Sequence, residues 1–268
     1  MDRTRIDDLT ALHVAPAAEP HRGPLVFVHG LWAAAWTFEG WLDPAAARGW
    51  DAWAPNLRGR EGSRPVADLG RVSLQDFAQD VADVLTETGP AVVVGYSMGG
   101  LLTQIVMSAP ATRHLVRGAV LLCSLPPRGI SAVSAPMLRS SVRYLPAMAR
   151  SRAWMPDRAD SEAMVMNGLD PADRDVWFPR WLPDAGRVSR QVALGAVRVD
   201  PDLVGCPVLV VSAERDRISP PSIQPKLAKR YRAEHLAFAG RAHLLAIEPG
   251  WEEAEARILD RVEGWSLP

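Results

Sequence analysis

The chain has 268 residues, 48% of them hydrophobic, which is enough to bury one sizeable core and suits one α/β unit with an insertion. Thirty basic against 31 acidic side chains leave a formal charge of −1, which argues against nucleic acid or an anionic membrane surface as a partner and favours a small, neutral or apolar molecule. Two cysteines in or beside apolar runs, Cys123 and Cys206, read as reduced thiols; no apolar run approaches the ~18 residues that span a bilayer, and the charged N-terminus lacks a signal-peptide core, so a cytoplasmic protein is expected.

In chain order, the first residues, MDRTRIDDLTALHVAP, read as a polar leader that carries His13, with His21 just beyond. Residues 25–28 form an apolar strand ending at His29-Gly30 in LVFVHGLW, where a sharp turn leaves the Leu31 amide free to face a site above the carboxyl ends of the strands, His29 itself reading as structural. A strand at 51–54 follows, then a helix at 74–87 with Ser73 placed to cap it. Next come a strand at 91–94, a helix at 98–109 and a strand at 119–123. From 126 to 200 no convincing strand occurs, and prolines at 126, 127, 136, 146, 156, 171, 179 and 183 chop any helix into short pieces, so this stretch reads as an inserted helical cap. The chain closes with strands at 208–211 and 235–238 and helices at 222–232 and 251–262. Strand alternating with helix predicts an α/β fold, a parallel sheet covered on both faces.

One short stretch carries chemistry. In AVVVGYSMGG, Ser97 stands where an apolar strand stops and a helical pattern begins, flanked by Gly95 and Gly99. A turn tight enough to push a side chain out of a sheet crowds the neighbouring backbone, and the two glycines remove the Cβ atoms that would clash. The hydroxyl is thereby exposed, and the Met98 N–H, unpaired at the positive end of the following helix, suits a developing oxyanion. A free hydroxyl is a poor nucleophile, so a base is needed. Among His13, His21, His29, His114, His235 and His243, only His243 lies in a loop after the last strand and before the last helix, where the other loops converge; His114 should face solvent and His235 falls within a strand. A carboxylate must orient the imidazole, and the strand in VLVVSAERDRISPP runs into Glu214 and Asp216. Asp216 is preferred because the turn closing at Pro220-Pro221 would fix its loop.

The order Ser97, Asp216, His243 resembles the α/β-hydrolase superfamily, in which the triad occurs as serine, acid, histidine. HGLWAAAW, the APNLRGREGSRP segment, SAERDRISP and AHLLAIEPGW extend the resemblance over nearly the whole chain. It implies a mostly parallel eight-stranded sheet, with residues 1–125 and 201–268 as the core and 126–200 as a helical cap between strands six and seven. Two departures stand in the APNLRGREGSRP loop: Asn56 replaces a usual aspartate, and Arg60 and Glu61 replace a usual histidine-glycine pair, which affects the packing of that loop and one wall of the pocket. Relatives that open epoxides or displace halide carry aspartate in place of Ser97, so the implied activity is hydrolysis of an ester, lactone or thioester through an acyl-enzyme, with no metal and no cofactor. The alternatives are a cofactor-free perhydrolase, a biosynthetic cyclase or acyltransferase, and a binding protein of the same fold.

The cap carries Met137, Met148, Met155, Met164 and Met166, five of the eight methionines, with Trp154, Trp177 and Trp181; they read equally as the cap's own small core and as a pocket lining. Trp32, Trp36 and Trp41 read as packing a helix onto the sheet, with Trp32, next to the oxyanion turn, reading equally as facing substrate. Eleven arginines against eight acids in the cap keep a carboxylate or phosphate-bearing substrate as the exception to an apolar one.

Overall fold

The computed structural model describes residues 1–18, 22–131 and 142–267; His21 and Met137 lie outside the described residues. The first residues are not a leader. They form an antiparallel hairpin of β1 (Asp2–Ile6) and β2 (Leu9–Val14). Leu9, Ala11 and Leu12 turn inward while His13 stacks on Trp53 with ring centroids 3.7 Å apart and meets Asp51 at 2.7 Å. Next come β3 (Gly23–Val28), α1 (Glu39–Ala47), β4 (Trp50–Pro55), α2 (Leu74–Thr88), β5 (Ala91–Tyr96), α3 (Met98–Ser108) and β6 (Val116–Leu122). Helix α1 forms despite Pro44 in its interior, because Trp41 and Leu42 on its inner face are fully buried. Helix α2 starts at a reciprocal cap: the Ser73 hydroxyl accepts from the Asp76 N–H at 3.2 Å, and the Asp76 carboxylate accepts from the Ser73 N–H at 2.8 Å, an arrangement worth about 1 kcal/mol.

After β6 come α4 (Leu145–Ala149), β7 (Ala153–Trp154), α5 (Arg158–Met164), α6 (Pro171–Trp177), β8 (Asp184–Ala185) and α7 (Gly186–Ala193). This stretch holds two strands that its sequence does not suggest, each two residues long and paired antiparallel to each other; at that length no hydrophobic periodicity can develop. The chain ends with β9 (Val208–Ala213), α8 (Gln224–Tyr231), β10 (Glu234–Phe238) and α9 (Trp251–Glu263).

Among the described residues, eight strands form one sheet in the order β1-β2-β4-β3-β5-β6-β9-β10, parallel from β4 onward. Alternate side chains feed two cores. Phe27, Val94, Leu122 and Val211 pack with Trp41, Ile258 and Leu259 on one face. Val26, Val93, Leu121 and Val210 pack with Phe77, Val81, Leu101 and Leu227 on the other. Every residue of β5 and β9 is buried, as expected of central parallel strands covered on both sides. No helix among the described residues is long and apolar enough to cross a membrane. Both cysteines are free, and burial pushes the thiol of Cys123 well above its usual value and that of Cys206 up to about 11.

Candidate active site

The carboxyl ends of β3, β5, β9 and β10 converge where the loops cross from one face of the sheet to the other, the ordinary location of a site in an open α/β sheet. Ser97 stands between β5 and α3 with φ +55° and ψ −114°, a left-handed conformation that a serine adopts only when its surroundings impose it. The glycines around it are sterically required. A methyl group at Gly99 would approach the Val28 carbonyl oxygen to 2.1 Å, and one at Gly95 would approach the Gly99 oxygen to 2.5 Å. The Ser97 N–H donates to Leu122 O at 2.9 Å and its carbonyl accepts from the Leu125 N–H at 3.0 Å, so the elbow is also anchored to β6 and the turn beyond it.

His243, from the loop after β10, places Nε2 3.1 Å from Ser97 Oγ and Nδ1 2.8 Å from Asp216 Oδ2. A carboxylate only accepts, so Nδ1 carries the proton and the bare Nε2 faces the serine hydroxyl. The other oxygen of Asp216 accepts from the Ile218 and Ser219 N–H groups, both at 2.8 Å, and so the carboxylate is held from behind by its own turn. All three side chains are buried. Glu214, the competing acid, is exposed and accepts instead from the Gly240 N–H at 2.8 Å, away from the imidazole. One residue that the sequence did not single out supports this loop: Glu248, 2% exposed, accepts from the Ala242 N–H at 2.9 Å, next to His243. Burial raises the pKa of its carboxyl.

His29 has the structural role expected of it. It is fully buried; burial, assisted by the nearby Arg60 charge, lowers its pKa to about 4, so it is neutral near pH 7. Its Nε2 accepts from the Leu57 N–H at 3.3 Å, which leaves Nδ1–H to donate to the Gly30 carbonyl at 2.9 Å. In a planar peptide the N–H points opposite to the carbonyl, so this bond also sets the direction of the Leu31 N–H. The turn sits close to the serine: a Cβ at Gly30 would lie 3.0 Å from Ser97 Cβ. The other histidines are elsewhere, His114 exposed and His235 bound to Ser212 Oγ at 2.8 Å.

A cavity of about 170 Å³ opens onto Ser97 and His243. Trp32, Trp36, Trp154, Trp181, Met148 and Met164 line it, whereas Trp41 and Met166 are fully buried elsewhere in the core, so the tryptophans and methionines divide between the two expected roles. Among the described residues no arginine lines the cavity; its charged or titratable lining groups besides His243 are Tyr96, whose ring lies 5.2 Å from that of His243, and Asp160 and Tyr144, bonded to each other at 2.7 Å. Of the departures in the loop after β4, Asn56 accepts from the Ala35 N–H at 2.8 Å and donates to Thr10 at 3.0 Å. Glu61 faces outward, while Arg60 turns inward and is buried.

Residues 25–256 match the sequence profile of the Alpha/beta hydrolase family. The chain belongs to that family. Its fold is shared with a thermophilic esterase from Thermogutta terrifontis at 18% identity, covering 98% of both chains with a TM-score of 0.72. A monoacylglycerol lipase from Paleococcus ferrophilus matches at 18% identity over 95% of this chain and 98% of its own, TM-score 0.70. The thioesterase domain of a curacin biosynthetic pathway matches at 17% identity over 96% and 98%, TM-score 0.66. No match was found among curated proteins. At these identities the likenesses establish the α/β-hydrolase fold, a mostly parallel eight-stranded sheet flanked by helices.

Proposed function

We propose that this α/β-hydrolase is a serine hydrolase that cleaves an ester, lactone or thioester of a small neutral or apolar acyl group through an acyl-enzyme on Ser97. The observation that carries the reading is the continuous chain Ser97 Oγ, His243 Nε2, His243 Nδ1, Asp216 Oδ2, with links of 3.1 and 2.8 Å, at the floor of an apolar cavity. In the first half-reaction the Ser97 hydroxyl adds to the substrate carbonyl carbon as its proton passes to His243 Nε2. Asp216 stabilises the resulting imidazolium, and the Leu31 and Met98 N–H groups receive the oxyanion. Collapse of the tetrahedral species breaks the bond to the leaving group, which takes the proton from His243. Water then loses a proton to His243 and attacks the acyl carbon; the bond from that carbon to Ser97 Oγ breaks as His243 returns the proton to Oγ, releasing the acid and restoring Ser97.

The cavity supports the substrate class. Its walls are indole and thioether groups, which reward apolar contact, and a substrate carboxylate would meet the Asp160–Tyr144 pair instead of an arginine. Ser97→Ala tests the reading. Hydrolysis of p-nitrophenyl butyrate and labelling by a fluorophosphonate should both vanish in a folded variant; turnover that persists would show that another group does the chemistry.

A further inference from the structure

Arg60 and Asp184 form an ion pair withdrawn from solvent, 1% and 0% exposed. The arginine comes from the loop after β4 and the aspartate from β8, and Nη2 lies 2.5 Å from Oδ2. Both partners reach the same piece of backbone. Asp184 Oδ2 accepts from the Trp32 N–H at 2.9 Å, and Arg60 Nε donates to the Ala33 carbonyl at 3.0 Å. The Leu182 N–H donates to the Trp32 carbonyl at 3.0 Å, closing a third tie in between. The remaining valences are used locally, with Arg60 Nη1 reaching Pro183 O at 3.4 Å and Asp184 Oδ1 accepting from the Ala185 N–H at 2.7 Å. Trp32 itself is held at φ +60°, a conformation that an unsupported tryptophan would leave.

Stability alone is a weak account of such a pair, because removing two charges from water costs about what their attraction returns, and an apolar replacement is often as stable. What the pair does uniquely here is grip the two residues that follow Leu31. On the other side the Gly30 carbonyl is gripped by His29 at 2.9 Å. The Leu31 peptide is therefore fixed at both ends, next to the serine. An oxyanion donor must be in place before charge develops, since reorganisation at that moment is what the site avoids.

We infer that Arg60 and Asp184 are positioning residues that aim the Leu31 N–H at the reaction's oxyanion by clamping the Trp32–Ala33 backbone, a role that rests on Ser97 being the nucleophile. The clamp predicts a particular defect. Most of the cavity wall, including Trp36, Trp181, Met148 and Met164, has no bond to the clamp, so KM changes little, while kcat falls because the lost interaction is made in the transition state.

The test uses the full chain with p-nitrophenyl butyrate as substrate and an alkyl trifluoromethyl ketone as oxyanion probe; Ser97 Oγ adds to the ketone carbonyl, its proton passes to His243, and the oxygen is left negative. The double variant Arg60→Met/Asp184→Leu removes both charges together and avoids leaving one buried alone. It should unfold within a few degrees of wild type, with kcat lowered about 10–100-fold, KM within about threefold, and ketone affinity lowered by the same factor as kcat/KM. Arg60→Lys retains the charge and much of the volume but not the forked geometry that reaches Ala33 O and Asp184 together, and should show a smaller defect of the same kind. Wild-type kcat and ketone affinity in either folded variant would overturn the clamp. Ser97→Ala in the same assay separates the premise from the inference: residual turnover there refutes the nucleophile, whereas an inactive Ser97→Ala beside an unimpaired double variant refutes the clamp alone.

Discussion

Lengthening the acyl chain of an ester probes the cavity directly. Each methylene moved from water onto indole and thioether surface gains about 0.8 kcal/mol, a factor of about four in kcat/KM when the contact persists in the transition state. The cavity's 170 Å³ holds about six water-sized groups. An acetyl group fills the carbonyl end only, and the four methylenes that extend it to hexanoyl should together contribute about 3 kcal/mol, or roughly 200-fold. Beyond that length the walls must yield or the chain must return to solvent, and the gain should stop. The assay is kcat/KM for p-nitrophenyl acetate, butyrate, hexanoate, octanoate and decanoate, with a succinyl monoester of matched length. The succinyl ester should be poor, because no arginine among the described residues faces the cavity and Asp160 does. A series that falls from acetate onward would mean that the tryptophans and methionines close the cavity upon themselves. A preferred succinyl ester would refute the neutral-substrate reading outright.

Other perturbations separate neighbouring roles. Asp216→Asn keeps the shape but not the charge that supports the imidazolium, and kcat should fall on the order of 10³–10⁴-fold; Glu214→Gln, whose carbonyl can still accept from Gly240, should stay near wild type in the same assay. His29 has its pKa lowered in the fold from 6.5 to about 4, so its contribution to stability is complete above pH 6.5 and is lost as pH falls toward 4. Denaturant titrations should therefore show wild type losing about 3 kcal/mol more than His29→Gln across that interval, and parallel curves would show that the imidazole is not held neutral. Gly99→Ala would bring a methyl group to 2.1 Å from Val28 O and should lower stability by more than about 2 kcal/mol, measured by thermal melting. Gly205→Ala, with nothing within 4 Å, should be neutral or slightly stabilising.

What was legible in the sequence was what local chemistry determines. The apolar runs at 91–94 and 208–211 announced β5 and β9 because a strand buried on both faces has no reason to alternate. The glycines beside Ser97 announced the elbow because only a backbone without Cβ atoms turns there. The hairpin β1–β2 was missed because its outer face is charged and partly solvated, so DRTRI looks like a tail until β2 is seen pairing with β4. Helix α1 could be suspected from its tryptophans but not bounded, because Pro44 is a local breaker overridden by burial of Trp41 and Leu42. Arg60 was visible as a departure in its loop, but its partner lies 124 positions away in a two-residue strand, and no local pattern connects them. Ser97, His243 and Asp216 could be proposed from their places in the chain, but the preference for Asp216 over Glu214 rested on the shape of a loop that the Ile218 and Ser219 N–H groups hold through Asp216, and no local pattern prescribes those bonds.

The left-handed backbone at Ser97 has a thermodynamic consequence. A serine in that region costs about 1–3 kcal/mol relative to a relaxed conformation, while glycine occupies it freely. Replacing Ser97 by glycine should therefore raise the melting temperature while removing the hydroxyl. Any search of sequence variants for stability alone would be drawn to this position and would deliver a sturdier, inert protein, so thermal selection on this scaffold has to be coupled to an activity screen.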